Sequence, residues 1–216
     1  LKYDRLRKLF GEQFTIIQNS NIIILGVGGV GGYALDCLYK SGVKNITIID
    51  DDIFEESNQN RQIGSLDGLG KQKVFHLASL YEGITPIFKT IDKNWVENYD
   101  FSKYDLILDA IDDIPAKISL ITKYHHKLIS SGGSAKRIDP TRIKYIDIWQ
   151  TFNDPFIKKI RTELKKVKFS KKFKIIFSDE SPKCTQLGSF VGVTGSFGLC
   201  MCYIAIQKII SNYQLK

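Results

Sequence analysis

Histidine and cysteine are scarce in this chain and poorly spaced for metal chemistry. The 216 residues include three histidines and four cysteines. Cys37, Cys184, Cys200 and Cys202 contain no Cys-x-x-Cys pair, the spacing that brings two thiolates onto one tetrahedral ion, so no zinc is expected. His76, His125 and His126 stand at no ligand spacing with acids or cysteines and are assigned no chemistry. Trp95 and Trp149 read as packing residues rather than stacking platforms for bases. There is no linker, internal repeat or low-complexity run, and no charged and apolar leader opens the sequence, which predicts a cytoplasmic protein. A composition that is 43% apolar and 25% charged fits one compact globular unit with a substantial core.

One stretch lacks charge altogether, from Cys184 to Gln207, and it is long enough to cross a bilayer. Gly188, Gly192, Gly195 and Gly198, interspersed with Ser and Thr, suit a tightly packed buried helix or subunit contact better than lipid exposure. No membrane span is predicted, although a peripheral membrane role stays open.

What the chain has is a glycine-rich turn in the right setting. Asn21 to Leu25 is a short apolar run ending at Gly26, and Val30 to Ser41 reads as a helix closed by Gly42. In this strand, turn and helix, Gly26 and Gly28 permit a tight turn and close approach of backbone to phosphate. Gly31 permits close packing of helix on strand, and the helix N-terminus offers free N–H groups to an anion. Ile46 to Ile49 is the next strand. Asp50 at its end, nineteen residues after Gly31, is placed to accept hydrogen bonds from a ribose. The glycine spacing suits NAD(P) and ATP equally. The polar cluster Asn58-Gln59-Asn60-Arg61-Gln62 favours ATP, because adenylyl transfer needs donors and cations around a leaving pyrophosphate and hydride transfer does not.

These residues carry a family resemblance. Gly26-x-Gly28-Gly29-x-Gly31, Asp50-x-Asp52, Asn58-x-x-Arg61-Gln62, Gly70-x-x-Lys73 and Asp109-Ala110-Ile111-Asp112 resemble the ThiF/MoeB-type adenylating enzymes related to ubiquitin activation. Ser131-Gly132-Gly133-Ser134, Ile138-Asp139-Pro140-Thr141, Asp154-Pro155, Phe177-Ser178-Asp179-Glu180 and Thr194-Gly195-Ser196-Phe197-Gly198 are similar to the tRNA threonylcarbamoyladenosine dehydratases within that superfamily. The absent zinc points the same way, since the sulfur-carrier enzymes commonly hold one.

The resemblance implies a single adenylating domain over residues 1–216, with a nucleotide-binding half at 1–135 and substrate-side strands and helices at 136–216. Its fold would be α/β and Rossmann-like: a doubly wound, mostly parallel sheet with helices on both faces. Further strands are expected near Ile143 to Ile148 and Phe173 to Phe177, and the final apolar helix would pack back on the sheet. Its activity would be ATP-dependent cyclisation of threonylcarbamoyladenosine in tRNA through adenylation of a carboxylate. The alternative is adenylation of a sulfur carrier ending in Gly-Gly, and a nucleotide-sensing protein without turnover stays open.

It also implies roles. Gly26, Gly28, Gly29 and Gly31 form the phosphate turn, Asp50 and Asp52 face the ribose side, and Asn58 and Arg61 hold the β- and γ-phosphates. Lys73 neutralises the leaving pyrophosphate, with Lys71 as its rival. Asp112, or else Asp113, holds Mg²⁺ at the end of the strand Leu106 to Ala110. Arg5 would reach the partner's ATP across a homodimer interface. Cys184 matches a cysteine position of the dehydratases and is a candidate reactive thiol, in a region where the family often carries a longer insertion. A sulfur-relay or sulfur-carrier protein is a further candidate partner.

The net charge is +8, and between Lys158 and Lys174 the chain places eight lysines and Arg161 against one acid, Glu163. A helix from Asp154 would align Ile157, Ile160, Leu164 and Val167 as a docking stripe and turn the basic residues outward, either as a solvated face or as a footprint for tRNA phosphates.

Overall fold

A computed structural model describes residues 2–214. Two short helices, α1 (Asp4–Phe10) and α2 (Gln13–Asn19), precede the strand β1 (Asn21–Leu25), the helix α3 (Gly29–Lys40) and β2 (Asn45–Asp50). Then follow α4 (Lys73–Leu80), β3 (Thr85–Phe88), α5 (Lys93–Asn98), β4 (Leu106–Asp109), α6 (Ile114–Tyr124) and β5 (Leu128–Ser131). The chain closes with β6 (Ile143–Asp147), α7 (Pro155–Lys166), β7 (Lys174–Ser178) and α8 (Val191–Gln214).

The seven strands are ordered β3-β2-β1-β4-β5-β7-β6. All neighbours are parallel except β6 and β7, which run antiparallel. Strand order reverses between β1 and β4, and in open parallel sheets the crevice beyond the carboxyl ends of such strands is where ligands collect.

β1 reads as an unbroken apolar run because both faces of the sheet are covered. Ile22 and Ile24 pack with Leu35 and Leu38 of α3 and Phe197 and Met201 of α8. Ile23 and Leu25 pack on the other side with Leu120 and Ile121 of α6 and Ile157 and Ile160 of α7. All four β1 residues are fully buried, each contributing roughly 1.5–3 kcal/mol of apolar transfer free energy.

The apolar segment is a core helix over most of its length. Residues 191–213 are apolar and long enough to cross a membrane, but 61% of the most apolar stretch is buried within the fold. Its glycines explain the fit: a Cβ on Gly198 would meet the Val30 carbonyl oxygen at 2.4 Å, and one on Gly195 would meet the Tyr33 ring at 3.2 Å. Cys37 of α3 and Cys202 of α8 pair their sulfurs within the core between these helices, while Cys200 is a half-buried free thiol packed against it. Residues Cys184 to Gly188 lie outside the helix on the surface, where the uncharged run had suggested continuous packing.

Two expectations about the basic helix fail at its edges. Ile157, Ile160 and Leu164 are buried, but Val167 is 54% exposed, because α7 stops at Lys166 and the chain turns through a positive φ at Lys168. Arg161 is turned inward and donates to the carbonyl and hydroxyl oxygens of Thr151, so it is no part of the outer basic face. Trp95 packs against Tyr99 and Phe101 as expected, whereas Trp149 is 37% exposed.

Candidate functional site

The glycine turn is built by exclusion of side chains. Gly26 has φ +80°, and a Cβ there would press on the Ala110 carbonyl oxygen at 3.0 Å. One on Gly31 would overlap the Gly26 carbonyl oxygen at 1.8 Å, which only glycine avoids. α3 therefore starts directly off β1 at Gly29, with Gly28 as its N-cap and no side-chain cap on the first N–H groups. Those donors are free for an anion.

The polar cluster of residues 58–62 folds over this turn. Asn58 is buried and closes a short helical turn by accepting from the Glu55 N–H at 3.2 Å. Its carbonyl oxygen accepts from the N–H groups of Arg61 and Gln62. The Gln62 amide comes to rest 3.7 Å from where a Gly28 Cβ would stand, and Arg61 Cγ 3.6 Å from the corresponding point at Gly29. Arg61 itself is steered by Nη1 donating to the Ser57 carbonyl oxygen at 2.7 Å and to Asn60 Oδ1 at 2.9 Å.

At the end of β2, Asp50 is buried, with Oδ2 accepting from Val27 N–H at 2.7 Å and Oδ1 from Asp52 N–H at 2.9 Å. Burial pushes its carboxyl above the usual Asp value, opposed by those two amides and by Lys73. Lys73 opens α4, is only 4% exposed, and pairs with Asp52 Oδ2 at 2.7 Å. The loop between β2 and α4 sets this up by folding on itself, Ile53 bridging Gln72 and Lys73 N–H donating to the Asp52 carbonyl. Lys71, by contrast, is exposed and held to the Asp67 carbonyl oxygen. Asp50, Asp51 and Asp52 lie close enough to share a cation, but each carboxylate is engaged, by amides, by Thr90 and by Lys73.

Asp112 lies three residues beyond β4, which ends at Asp109 rather than at Ala110. It is exposed and lines a cleft of about 520 Å³, together with Ile111, Gly132, Gly133, Arg137 and Phe156 among others. Asp113 caps α6 by accepting from Ala116 N–H at 2.7 Å, whereas Asp112 has no hydrogen bond or ion pair among the described residues. Of the two acids, Asp112 is thus the one free to hold a hard cation through carboxylate oxygen.

The far wall of the cleft is fixed by buried charges. Arg137, 4% exposed, donates to the Gly133 carbonyl oxygen, to Glu180 O at 3.3 Å and to Asp154 Oδ2 at 3.2 Å. Asp154 in turn caps α7. Burial pushes Glu180 up, but the amides of Asp139 and Ile138 and nearby Lys183 outweigh it, and the net shift is downward. Lys136 closes the cleft mouth by exchanging backbone bonds with Lys183 and Gly188. Cys184 is exposed there, its thiol donating to the Gln186 carbonyl oxygen.

Two further side chains border the site, Lys117, which the sequence did not single out, and Thr194, which opens the Thr194–Gly198 segment. Lys117 is fully buried, with Nζ 2.7 Å from both oxygens of fully buried Asp109, 3.2 Å from Ser130 Oγ and 3.1 Å from the Ser131 carbonyl oxygen. It ties α6 to the ends of β4 and β5 under the cleft. Thr194 is 3% exposed with an unpartnered hydroxyl, and its methyl stands 2.5 Å from the Gly29 Cβ position, so the first turn of α8 abuts the phosphate turn. Arg5 does not join this site within one chain: it is exposed on α1, none of whose residues is buried.

The chain matches the ThiF family over residues 3–215. A tRNA threonylcarbamoyladenosine dehydratase of Bacillus subtilis is 37% identical over 182 residues, covering 79% of this chain and 71% of the relative. One of Haemophilus influenzae is 32% identical, covering 81% of this chain and 71% of the relative. The crystal structure of the E. coli tRNA N6-threonylcarbamoyladenosine dehydratase in complex with ATP superposes with a TM-score of 0.93 at 28% identity, over 100% of this chain and 96% of that one.

Proposed function

This chain belongs to the ThiF family, and from that premise we propose that it uses ATP to cyclise threonylcarbamoyladenosine in tRNA with loss of water. The observation that carries the reading is the convergence of the open α3 N-terminus, Arg61 and Asp50 at the strand-order reversal, beside a cleft walled by Gly132, Gly133 and Arg137.

In this reading the threonyl carboxylate attacks the α-phosphate of ATP, and pyrophosphate leaves. The acyl carbon is then captured by a nitrogen or oxygen of the same modification, releasing AMP and closing the ring. Capture within one molecule removes much of the entropic barrier, and no enzyme thiol has to carry the acyl group. Asp50 would hold the ribose and the α3 N–H groups and Asn58 the phosphates. Arg61 and Lys73 would stabilise the charge that develops on the departing pyrophosphate. For Lys73 this means giving up Asp52, whose carboxylate is 65% exposed and easily rehydrated. Asp112 would bind Mg²⁺, which when present supplies charge neutralisation on phosphate oxygens. We place the enzyme in the cytoplasm as a homodimer in which Arg5 reaches the partner's nucleotide, and a sulfur-relay or sulfur-carrier protein is a candidate further partner.

The test is ATP conversion to AMP and pyrophosphate, with mass spectrometry of the nucleosides, on tRNA with and without threonylcarbamoyladenosine. The expected product is lighter by one water and forms on the modified tRNA alone. Turnover indifferent to that modification would refute the reading, and Arg61→Ala with unchanged turnover would refute the site.

A further inference from the structure

A second cleft, of about 800 Å³, lies between α5, α6 and α7. Its apolar wall includes Ile114, Pro115, Ile118 and Val167; its charged lining is Lys93, Lys123 and Lys159 with Glu97 and Glu163, and Lys93 pairs with Glu97 at 3.7 Å. Val167 is the residue that fails to dock in the core, an exposed apolar side chain among lysines. We infer that this groove seats the anticodon-loop segment next to the reacting adenosine, one base lying on the apolar wall and its phosphates on the lysines; the inference rests on the dehydratase reading.

Placement is the first support. The two clefts meet at the same pair of helix starts: Asp112, Pro155 and Phe156 line the substrate cleft, and Ile114, Pro115 and Lys159 line the groove. α7 therefore begins at the reacting centre and runs away from it for its twelve residues, about 18 Å. A nucleic acid that delivers one nucleotide into the substrate cleft must lead its neighbours out past this helix.

Charge is the second. Lys158, Lys159, Lys165 and Lys166 are exposed along α7, and only Lys166 has an acidic partner among the described residues, Glu163 at 2.7 Å. Lys123 of α6 has none. Lys123 and Lys159, unpaired among the described residues and beside an apolar wall, match a nucleotide that presents phosphate on one side and a flat apolar base face on the other. A bare acidic protein would make use of the lysines but not of the wall between them.

The test uses the full chain and two exposed variants. Lys123→Gln/Lys159→Gln/Lys165→Gln removes the two unpaired groove lysines and a third from the outer face of α7, and Val167→Glu puts an anion on the wall. Lys44→Gln/Lys103→Gln, at the opposite end of the strands, is the control. ATP turnover is measured against modified tRNA concentration over a salt series. The triple variant should raise the tRNA KM about tenfold and flatten the log–log salt slope by roughly 2–3, with the ATP KM and saturated kcat held. Val167→Glu should raise the tRNA KM on its own, and the control should match wild type. Wild-type KM and slope in the triple variant overturn the groove assignment, as does an equal effect in the control. An inert Val167→Glu overturns the base seat. Absence of any tRNA-dependent turnover in the wild-type enzyme is a different failure, that of the dehydratase reading itself.

Discussion

Two lysine–aspartate pairs flank the nucleotide crevice at the same N···O distance, 2.7 Å, and they are built for opposite ends. In the Lys117–Asp109 pair both side chains are fully buried, and Ser130 and the Ser131 carbonyl oxygen complete the shell of the ammonium. In the Lys73–Asp52 pair the lysine is 4% exposed and the aspartate 65%. Neither charge of the first pair can leave without stranding the other in a medium that solvates it poorly. In the second pair water can take over Asp52, but the 4% exposed Lys73 needs another anion if it lets go, which in the proposed reaction is the departing pyrophosphate. The same chemistry thus gives one pair sealed on both sides and one whose acid meets water, the difference on which the proposed role of Lys73 rests.

Breaking the floor should have the largest effect. Lys117→Met leaves Asp109 unpaired at zero exposure and is expected to cost roughly 3–5 kcal/mol in denaturant unfolding. Adding Asp109→Leu should recover much of that loss, since removing both charges removes the desolvation problem. A single variant as stable as wild type would show that the pair holds nothing together. For the rim, Lys73→Ala should lower saturated ATP turnover by roughly 10²–10³-fold while costing less stability than Lys117→Met, since only the stem of Lys73 is lost from the core and Asp52 is left in water. A loss of stability matching that of Lys117→Met, with turnover kept, would reverse the assignments.

The difference between the two pairs also marks what could be read from the sequence. Lys73 stands out in the sequence because Gly70 precedes it by three residues downstream of the glycine-rich turn, and the structure adds its burial and its pairing with Asp52. Strand β1 runs over the expected Asn21 to Leu25, because four apolar residues covered on both faces follow a polar, exposed Asn21 and end at Gly26. Lys117 was missed because lysine on a helix reads as solvated. The signal was present in its spacing: Lys117 shares a face with Leu120, Ile121 and Tyr124, eight residues after an acid at the end of a buried strand. Thr194 heads a segment that carries the family resemblance, but its contact with Gly29 depends on the packing of α8 on α3, which no local pattern encodes. Val167 failed for a local reason, the positive φ at Lys168 that ends the helical phase.

Asp112 and Asp113 repeat the comparison at smaller scale, one acid free and its neighbour committed. Asp113→Ala should cost about 1 kcal/mol of stability through the lost α6 cap and leave the Mg²⁺ requirement unchanged. Asp112→Asn should leave stability intact and raise the Mg²⁺ needed for half-maximal turnover by about tenfold or more. If the two variants exchange these phenotypes in a Mg²⁺ titration paired with thermal unfolding, the metal assignment moves to Asp113.

The smallest effect belongs to a pair of half-exposed cations. Asp179 pairs with Lys144 and with Arg142, both about half exposed, and these two hold its carboxyl below the usual Asp value of 3.8. A folded-state pKa below the unfolded one gives stability that is present above the unfolded value and is lost as pH falls through the folded one. Asp179→Asn should therefore lower Tm slightly at neutral pH, and the gap from wild type should close as pH drops below 3.8. Because water already screens both cations, the gap should be smaller than that between wild type and Lys117→Met at the same pH. A gap that persists in acid would mean that Asp179 acts through packing of the β6–β7 edge rather than through its charge.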